Sequence, residues 1–185
     1  FTTKPEKGLN YLVEVGLLPS LEDQSDATAA TLARYLYDHR GIVFPKQPLG
    51  EYLGSNKPFQ TKVRQQFTSL QAFKDVDIMT ALRRYLTTFR LPGEGQIVGR
   101  FVEDFSNHYY SEVKDSPSNP CKDETAVYFV VYSAIMLHTQ WHNASSQFKW
   151  SEQSYISTLQ GQNGGGDRSG LHFRVLSGLS AEVRL

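Results

Sequence analysis

The sequence predicts an all-α fold, and three observations support this prediction. Apolar residues recur at three- and four-residue spacing in almost every periodic segment, which is the pattern of a helix with one buried face. The connections between these segments are short. Strong alternation of apolar and polar residues, the pattern of a strand, is missing from the sequence except for a weak candidate at 41–44. Many short helices with brief connections are typical of an all-α domain.

The first part of the chain predicts three helices and one turn. They are expected at 5–18, 26–37 and 59–70, with the turn at 50–54. Pro5 stands near the start of the first helix, where its fixed φ is tolerated. Asp26 is a residue type that caps helices, so we expect it to cap the second. The turn is expected because two glycines bound it.

The second part of the chain predicts further helices, again from three- and four-residue spacing. They are expected at 77–89, 94–113, 124–142, 151–159 and 171–183. The segment 115–123 contains two prolines and polar residues, so it is expected to be a loop. A run of three glycines at 164–166 predicts a turn. The chain therefore alternates helix and short connection over most of its length.

Length and composition limit the possible classes of protein. With 185 residues the chain is expected to form a single domain over 1–185. Nineteen basic and nineteen acidic residues balance, so the totals give no support for binding nucleic acid or an anionic membrane. One cysteine cannot form an intramolecular disulfide, which suits a reducing compartment. The chain begins at Phe1 rather than Met, and we expect it to be a domain excised from a larger protein.

Several chemical motifs are incomplete. His138 and His142 have the four-residue spacing of metal ligands on a helix, but the glutamate of zinc proteases is missing between them. The glycines at 164–166 lack the Gly-Lys-Ser/Thr ending of a phosphate-binding loop. No serine stands in a nucleophile-elbow pattern, and Cys121 lies in a polar loop. We therefore expect no metal, no cofactor and no covalent catalysis.

The junction at 89–96, with the sequence FRLPGEGQ, lies between two amphipathic segments. Pro92 and Gly93 are expected to break the first helix. Glu94 then falls in the first turn of the second, where a carboxylate is stabilised by the helix dipole. The residues alone leave two interpretations open: an ordinary helix start, or an acidic side chain presented to a partner.

The segment 124–142 is the most apolar predicted helix. Its residues Tyr128, Tyr132, Ile135 and Met136 can align along one stripe with His142 or Asn143. Packing in the core is the ordinary explanation of such a stripe. A helix this rich in aromatic residues could also expose part of itself as a binding groove.

Two strings taken together resemble a known family. The segments 89–96 (FRLPGEGQ) and 132–143 (YSAIMLHTQWHN) are similar, in that order, to the two signature motifs of the Sec-seven domain. The segments 1–9, 50–54, 81–86 and 161–167 also fall in register, so the resemblance covers nearly the whole chain. That family comprises the guanine-nucleotide exchange factors of Arf small GTPases.

The resemblance implies a fold and a function. The fold is a right-handed superhelix of about ten short helices, with a groove between the loop at Glu94 and the long apolar helix. The function is release of GDP from an Arf-family GTPase, bound in its GDP-loaded and nucleotide-free states, without covalent chemistry. Glu94 matches the glutamate that enters the nucleotide site. The groove is implied to be lined by Phe89, Leu91, Pro92, Gly93, Gln96, Tyr128, Tyr132, Ile135, Met136 and Asn143.

The resemblance also implies a cellular setting. Members act in vesicle trafficking, in the cytoplasm and peripherally at Golgi or endosomal membranes. Contact with the membrane is expected only through flanking regions or through the GTPase, and no nucleic acid is expected as a partner.

Four positions depart from the family pattern. Gly99 stands where the family has an aspartate that meets a GTPase lysine. Thr125 aligns with another aspartate, for which Glu124 or Asp123 could substitute if the register shifts. His138 and Gln140 replace a common asparagine and a common aspartate. Fewer carboxylates at the rim should slow association more than they abolish exchange. The alternative function is therefore a non-exchanging scaffold or GTPase-binding module of the same fold.

Overall fold

The computed structural model describes residues 4–116, 119 and 121–142, without the side chains of Trp141 and His142. Within these ranges the chain forms seven helices and no β-strand, which confirms the all-α prediction. The helices are α1 (Pro5–Glu14), α2 (Asp26–Asp38), α3 (Lys46–Leu53), α4 (Pro58–Ser69), α5 (Ile78–Thr87), α6 (Gly95–Val113) and α7 (Glu124–His142). The weak strand candidate at 41–44 is a tight turn with one isolated bridge between Arg40 and Phe44.

Two helix starts are set by side-chain caps. The hydroxyl of Ser25 accepts a hydrogen bond from the backbone N–H of Thr28 at 3.1 Å, so Ser25 caps α2 and the prediction of Asp26 was wrong by one residue. Asp77 caps α5, since its Oδ1 accepts from the N–H of Met79 and of Thr80, each at 3.1 Å. Burial alone would raise the pKa of Asp77, but its hydrogen bonds to Thr80 and Met79 outweigh burial and hold the pKa below the usual value.

The predicted turn at 50–54 was wrong, because these residues form the end of α3 and its C-cap. Pro48 does not prevent this helix, since it stands in the first turn, where no intrahelical N–H bond is lost. The first helix stops at Glu14 and not at 18, because Gly16 adopts a φ of 77° just beyond its end. The predicted helices at 151–159 and 171–183 and the turn at 164–166 lie outside the described residues.

The chain separates into two compact units. Unit 1 contains the residues up to Ala72 together with Arg84–Asp104, and unit 2 contains Phe73–Arg83 and the residues from Phe105 onward. The division passes through α5 and α6. The single domain expected over 1–185 stays a prediction, as do the count of ten helices and the superhelix.

The core of unit 1 is built from apolar faces of its helices and a set of aromatic rings. Leu32 and Leu36 of α2 are fully buried, and α2 packs on α4. Phe67 of α4 meets Phe89 edge-on, with 6.4 Å between ring centroids. The rings continue through Phe89 to Phe101 of α6. This aromatic core lies directly beneath the segment that follows α5.

The core of unit 2 surrounds Phe73. Its ring packs against those of Phe105 and Tyr109, at centroid distances of 5.2 and 6.0 Å. The Tyr109 hydroxyl donates to the carbonyl of Val76 at 3.0 Å. Cys121 is 3% exposed and belongs to this core. A thiol so buried is shielded from solvent reagents.

Helix α7 begins at Glu124, as the sequence predicted, and is helical through His142, the last residue that the structure describes. One side of it is fully buried, including Val127, Val131 and Ala134. No helix of the described residues is long and apolar enough to cross a membrane. The same residues contain no group of three or more His, Cys, Asp or Glu side chains that could hold a metal ion.

Candidate functional site

The glutamate loop, defined as residues 88–94, joins α5 to α6 and belongs to unit 1. Glu94 is its last residue, and its carbonyl accepts hydrogen bonds from the N–H of Ile97 at 2.9 Å and of Val98 at 3.0 Å. Its side chain is exposed and has no hydrogen bond or ion pair with any described residue. Glu94 is therefore fixed through its backbone, while its carboxylate stays available near the positive end of the α6 dipole.

Phe89 anchors the start of the loop to the aromatic core of unit 1. Its ring is 1% exposed, stacks on Phe101 with 4.5 Å between centroids, and meets Tyr85 edge-on at 5.1 Å. A ring buried in this way cannot line a surface groove, so the prediction for Phe89 needs correction. Its role is to support the loop, and aromatic pairs of this geometry contribute about 0.5–1.5 kcal/mol each beyond burial.

Helix α3 holds the loop from the side through a close approach at Gly50. A Cβ atom at Gly50 would lie 1.9 Å from the carbonyl oxygen of Arg90, so no other residue fits there without movement of the backbone. The N–H of Arg90 donates to the carbonyl of Lys46 at 2.9 Å. Pro92 lies just beyond, with its Cδ atom 3.5 Å from the same Cβ position. The loop is thus seated on one face of α3.

Gly54, one turn later, seats the start of α6 on the same helix. A Cβ atom there would lie 2.7 Å from Cγ2 of Ile97. The Gly54 carbonyl accepts a hydrogen bond from Nη2 of Arg100 at 2.8 Å. The residue pair Gly50 and Gly54 therefore fixes both ends of the segment that presents Glu94.

A buried arginine secures the end of α3. Arg64 of α4 donates from Nη1 to the carbonyls of Leu53 and Ser55, at 3.1 and 3.2 Å. Its Nε donates to Oδ2 of Asp104 at 2.6 Å, with the two side chains 3% and 7% exposed. Burial raises the pKa of the Asp104 carboxyl, and the Arg64 charge opposes that effect. The pair ties α3, α4 and α6 together under the site.

Two open cavities flank Glu94 within unit 1. One, of about 620 Å³, is bordered by Gln96 and Arg100, and the other, of about 650 Å³, by Leu91, Pro92 and Gly93. Three residues border both cavities: Glu51, Glu94 and Ile97. Four residues that the sequence proposed around Glu94 therefore lie at its cavities. They are Leu91, Pro92, Gly93 and Gln96.

Helix α7 presents the other predicted residues in unit 2. The rings of Tyr128 and Tyr132 are half-buried and stack with 5.7 Å between centroids. Met136 is 37% exposed, whereas Ile135 is only 8% exposed. Asn143 lies outside the described residues. The exposed part of the stripe is thus formed by the two tyrosines and the methionine.

Sequence reasoning missed Phe129, which is 39% exposed on α7. It stands seven residues before Met136 and three before Tyr132, so all three share one face of the helix. The predicted stripe followed Tyr128 and passed over this neighbour. A search for the residue at i−7 from an expected contact would have found Phe129.

The glutamate loop belongs to unit 1, whereas α7 belongs to unit 2. The groove expected between them therefore stays a prediction. Of the four departures from the family pattern, Thr125 is exposed on α7 and Gly99 is half-buried on α6. Neither residue carries a carboxylate, but Glu124, directly before Thr125, is exposed.

A family model confirms the resemblance drawn from the motifs. The Sec7 domain model, which describes the Sec-seven family, matches residues 1–175. This chain belongs to the Sec7 domain family.

Particular relatives fall within this class. Human Cytohesin-3 is 34% identical over 169 residues, which is 90% of this chain and 38% of the relative. The ARF guanine-nucleotide exchange factor GNOM of Arabidopsis thaliana is 37% identical over 168 residues, which is 90% of this chain and 11% of the relative. The chain thus spans well under half the length of these curated relatives.

Solved structures agree with the fold. The Sec7p catalytic domain superposes with a TM-score of 0.83 at 26% identity, over 100% of this chain and 94% of that one. A Sec7 domain solved with ARF1-GDP and brefeldin A gives a TM-score of 0.81 at 30% identity, over 98% of this chain and 87% of that one.

Proposed function

We propose that this chain is a guanine-nucleotide exchange domain that accelerates GDP release from an Arf-family small GTPase. The observation that carries the proposal is the Glu94 carboxylate. It is exposed, has no hydrogen-bond or ion-pair partner among the described residues, and borders two cavities on a backbone that is hydrogen-bonded to α6. Support comes from relatives described as ARF guanine-nucleotide exchange factors. Further support comes from a similar Sec7 domain solved with ARF1-GDP.

The proposed mechanism is electrostatic competition. GDP in a P-loop GTPase is held by phosphate contacts to Mg²⁺ and to a lysine. A carboxylate placed beside them repels the β-phosphate and competes for the lysine. A unit-charge pair 4 Å apart is worth about 4 kcal/mol at an effective dielectric constant of about 20. That energy corresponds to about a thousandfold change in nucleotide affinity.

Exchange in this scheme is a coupled binding equilibrium with no bond made or broken. The domain weakens GDP binding, and by linkage GDP weakens binding of the domain to the same extent. The domain therefore binds the nucleotide-free GTPase more tightly than the GDP-bound GTPase. Entry of a new nucleotide then releases the domain, so we propose that the chain acts without covalent catalysis.

We propose that the exposed face of α7 binds the GTPase, while Glu94 acts on the bound nucleotide. The exposed parts of Tyr128, Tyr132 and Met136 offer apolar and aromatic surface, whereas Ile135, which is buried, supports this surface from within α7. Such residues carry much of the energy of protein interfaces. Asn143 is proposed as the hydrogen-bonding residue at the end of this surface, as the family resemblance implies.

We propose that the domain works in the cytoplasm at Golgi or endosomal membranes, in vesicle trafficking. Membrane contact would come from the GTPase or from flanking sequence. The rival proposal, a scaffold that binds without exchanging, is favoured by the missing carboxylates at Gly99 and Thr125. It predicts binding of the GTPase without faster nucleotide release.

The decisive experiment measures release of a fluorescent GDP analogue from a panel of Arf-family GTPases, with and without this domain. Glu94→Lys should lower the stimulated rate by about a thousandfold, because the new charge attracts phosphate. The folded state should be unaffected, since the side chain is exposed. Glu14→Lys is a matched control, because Glu14 is an exposed glutamate on α1 outside both cavities.

Two results would contradict the proposal. If the wild-type domain binds a GTPase but leaves nucleotide release unchanged, the scaffold is correct. If Glu94→Lys and Glu14→Lys exchange at equal rates, Glu94 does not carry the activity.

A further inference from the structure

Glu51 shares both cavities with Glu94. Of the residues that line them, only Glu51, Glu94 and Ile97 border the two at once, so these three mark the boundary between the cavities. Glu51 comes from α3 and Glu94 from the loop before α6. Two elements therefore place two carboxylates at one boundary.

The backbone position of Glu51 is set by close packing on both sides of it. It stands between Gly50 and Gly54, whose close approaches to Arg90 and Ile97 lock α3 against the loop and against α6. Its neighbour Gln47, one turn earlier, donates from Nε2 to Oε1 of Glu51 at 3.2 Å. Side chain and helix are thus both oriented before any partner binds.

The charge of Glu51 is not neutralised within the described chain. Glu51 is exposed, and its carboxylate forms no ion pair with a described residue. Arg100, which borders the first cavity, donates instead to the Gly54 carbonyl, and Arg90, which borders the second, forms no ion pair with a described residue. An oriented, unneutralised carboxylate at an interface is complementary to a cationic side chain of a partner.

We infer that Glu51 is a specificity-determining residue that accepts a lysine or arginine side chain of the GTPase while Glu94 addresses the nucleotide. The inference rests on the proposed function. The two carboxylates differ in role: Glu94 changes nucleotide affinity, and Glu51 changes the rate and salt dependence of docking.

Glu51→Gln tests this division, because glutamine keeps the size and the acceptor for Gln47 but removes the charge. The KM for the GTPase should rise about fivefold at low salt, with kcat unchanged. The rise should shrink at 0.5 M salt, since exposed charges are screened. Glu14→Gln removes an equal charge from α1 and should leave KM unchanged.

A second readout separates this inference from the proposed function. Direct binding to the nucleotide-free GTPase should weaken with Glu51→Gln and not with Glu14→Gln, even if the domain proves to be a scaffold. If Glu51→Gln and Glu14→Gln have the same KM and the same Kd, while Glu94→Lys still loses exchange, only the role of Glu51 is overturned. A wild-type domain that neither binds nor exchanges would overturn both.

Discussion

At the scale of single residues, backbone geometry governs the site more than side-chain chemistry does. The Glu94 side chain forms no hydrogen bond or ion pair with a described residue, so its position depends on the residues that hold the loop. Phe89 supports the loop through the core, and Gly50 allows α3 to approach the Arg90 carbonyl. The acidic side chain could be identified from the motif. The need for glycine at position 50 depends on which backbone atoms lie next to it.

Gly50→Ala should therefore be more damaging than its small size suggests. The new Cβ would lie 1.9 Å from a backbone oxygen, so α3 or the loop must shift. We expect the free energy of unfolding to fall by about 1–3 kcal/mol, as measured by urea denaturation. Exchange activity should fall as well, since Arg90 precedes Glu94 by only four residues.

Gly93→Ala provides the comparison, because its Cβ would have no atom within 4 Å. Its stability should stay within about 0.5 kcal/mol of wild type. Equal stability of the two variants would show that the close approach at Gly50 is not strained by a methyl group.

At the scale of elements, the buried Arg64–Asp104 pair connects three helices at one point. Arg64 lies on α4, Asp104 lies on α6, and the carbonyls that Arg64 also binds end α3. Carbonyls at the end of a helix lack intrahelical partners, so an arginine there satisfies them. The sequence predicts these helices from their periodicity, but the two charges are 40 residues apart and give no local signal of their pairing.

Asp104→Ala should strongly destabilise the domain, because it leaves the Arg64 guanidinium buried without its counter-ion. We expect a loss of about 3–5 kcal/mol, measured as the free energy of unfolding in urea. Asp26→Ala is the matched control: it breaks an ion pair of similar length, 2.8 Å to Lys62, whose side chains are 81% and 44% exposed. That loss should not exceed about 1 kcal/mol. Equal losses would mean that the buried pair is as weakly coupled as the surface one.

At the scale of the whole molecule, the proposed function uses surfaces from both units. Unit 1 contributes Glu94 and Glu51, and unit 2 contributes the exposed face of α7. The chain carries no net charge, so association must depend on local charges and apolar contact rather than on the overall field. Substitutions on the exposed face of α7 should therefore change KM, whereas substitution of Glu94 should change kcat.

Met136→Ala should raise the KM for the GTPase about tenfold, or about 1.4 kcal/mol, while kcat stays near wild type because Glu94 is intact. The measurement is the exchange rate as a function of GTPase concentration. Leu17→Ala removes an apolar side chain that is 60% exposed on the segment after α1, outside both cavities, and should leave KM unchanged. A fall in kcat without a change in KM would mean that Met136 acts in nucleotide release and not in docking of the GTPase.

The sequence by itself determined the all-α fold class, most helix positions, the choice of Glu94 as the candidate site residue, and the family. It could do so because periodicity and short motifs are local properties of the chain. The predicted start of α7 at Glu124 was correct, and the predicted start of α6 at Glu94 was wrong by one residue. Only the tertiary structure decided that Phe89 is core, that residues 50–54 end a helix, and that Glu51 borders the same two cavities as Glu94. These depend on which distant segments meet. Burial, close approach and shared cavities arise from packing between elements, and no local pattern encodes them.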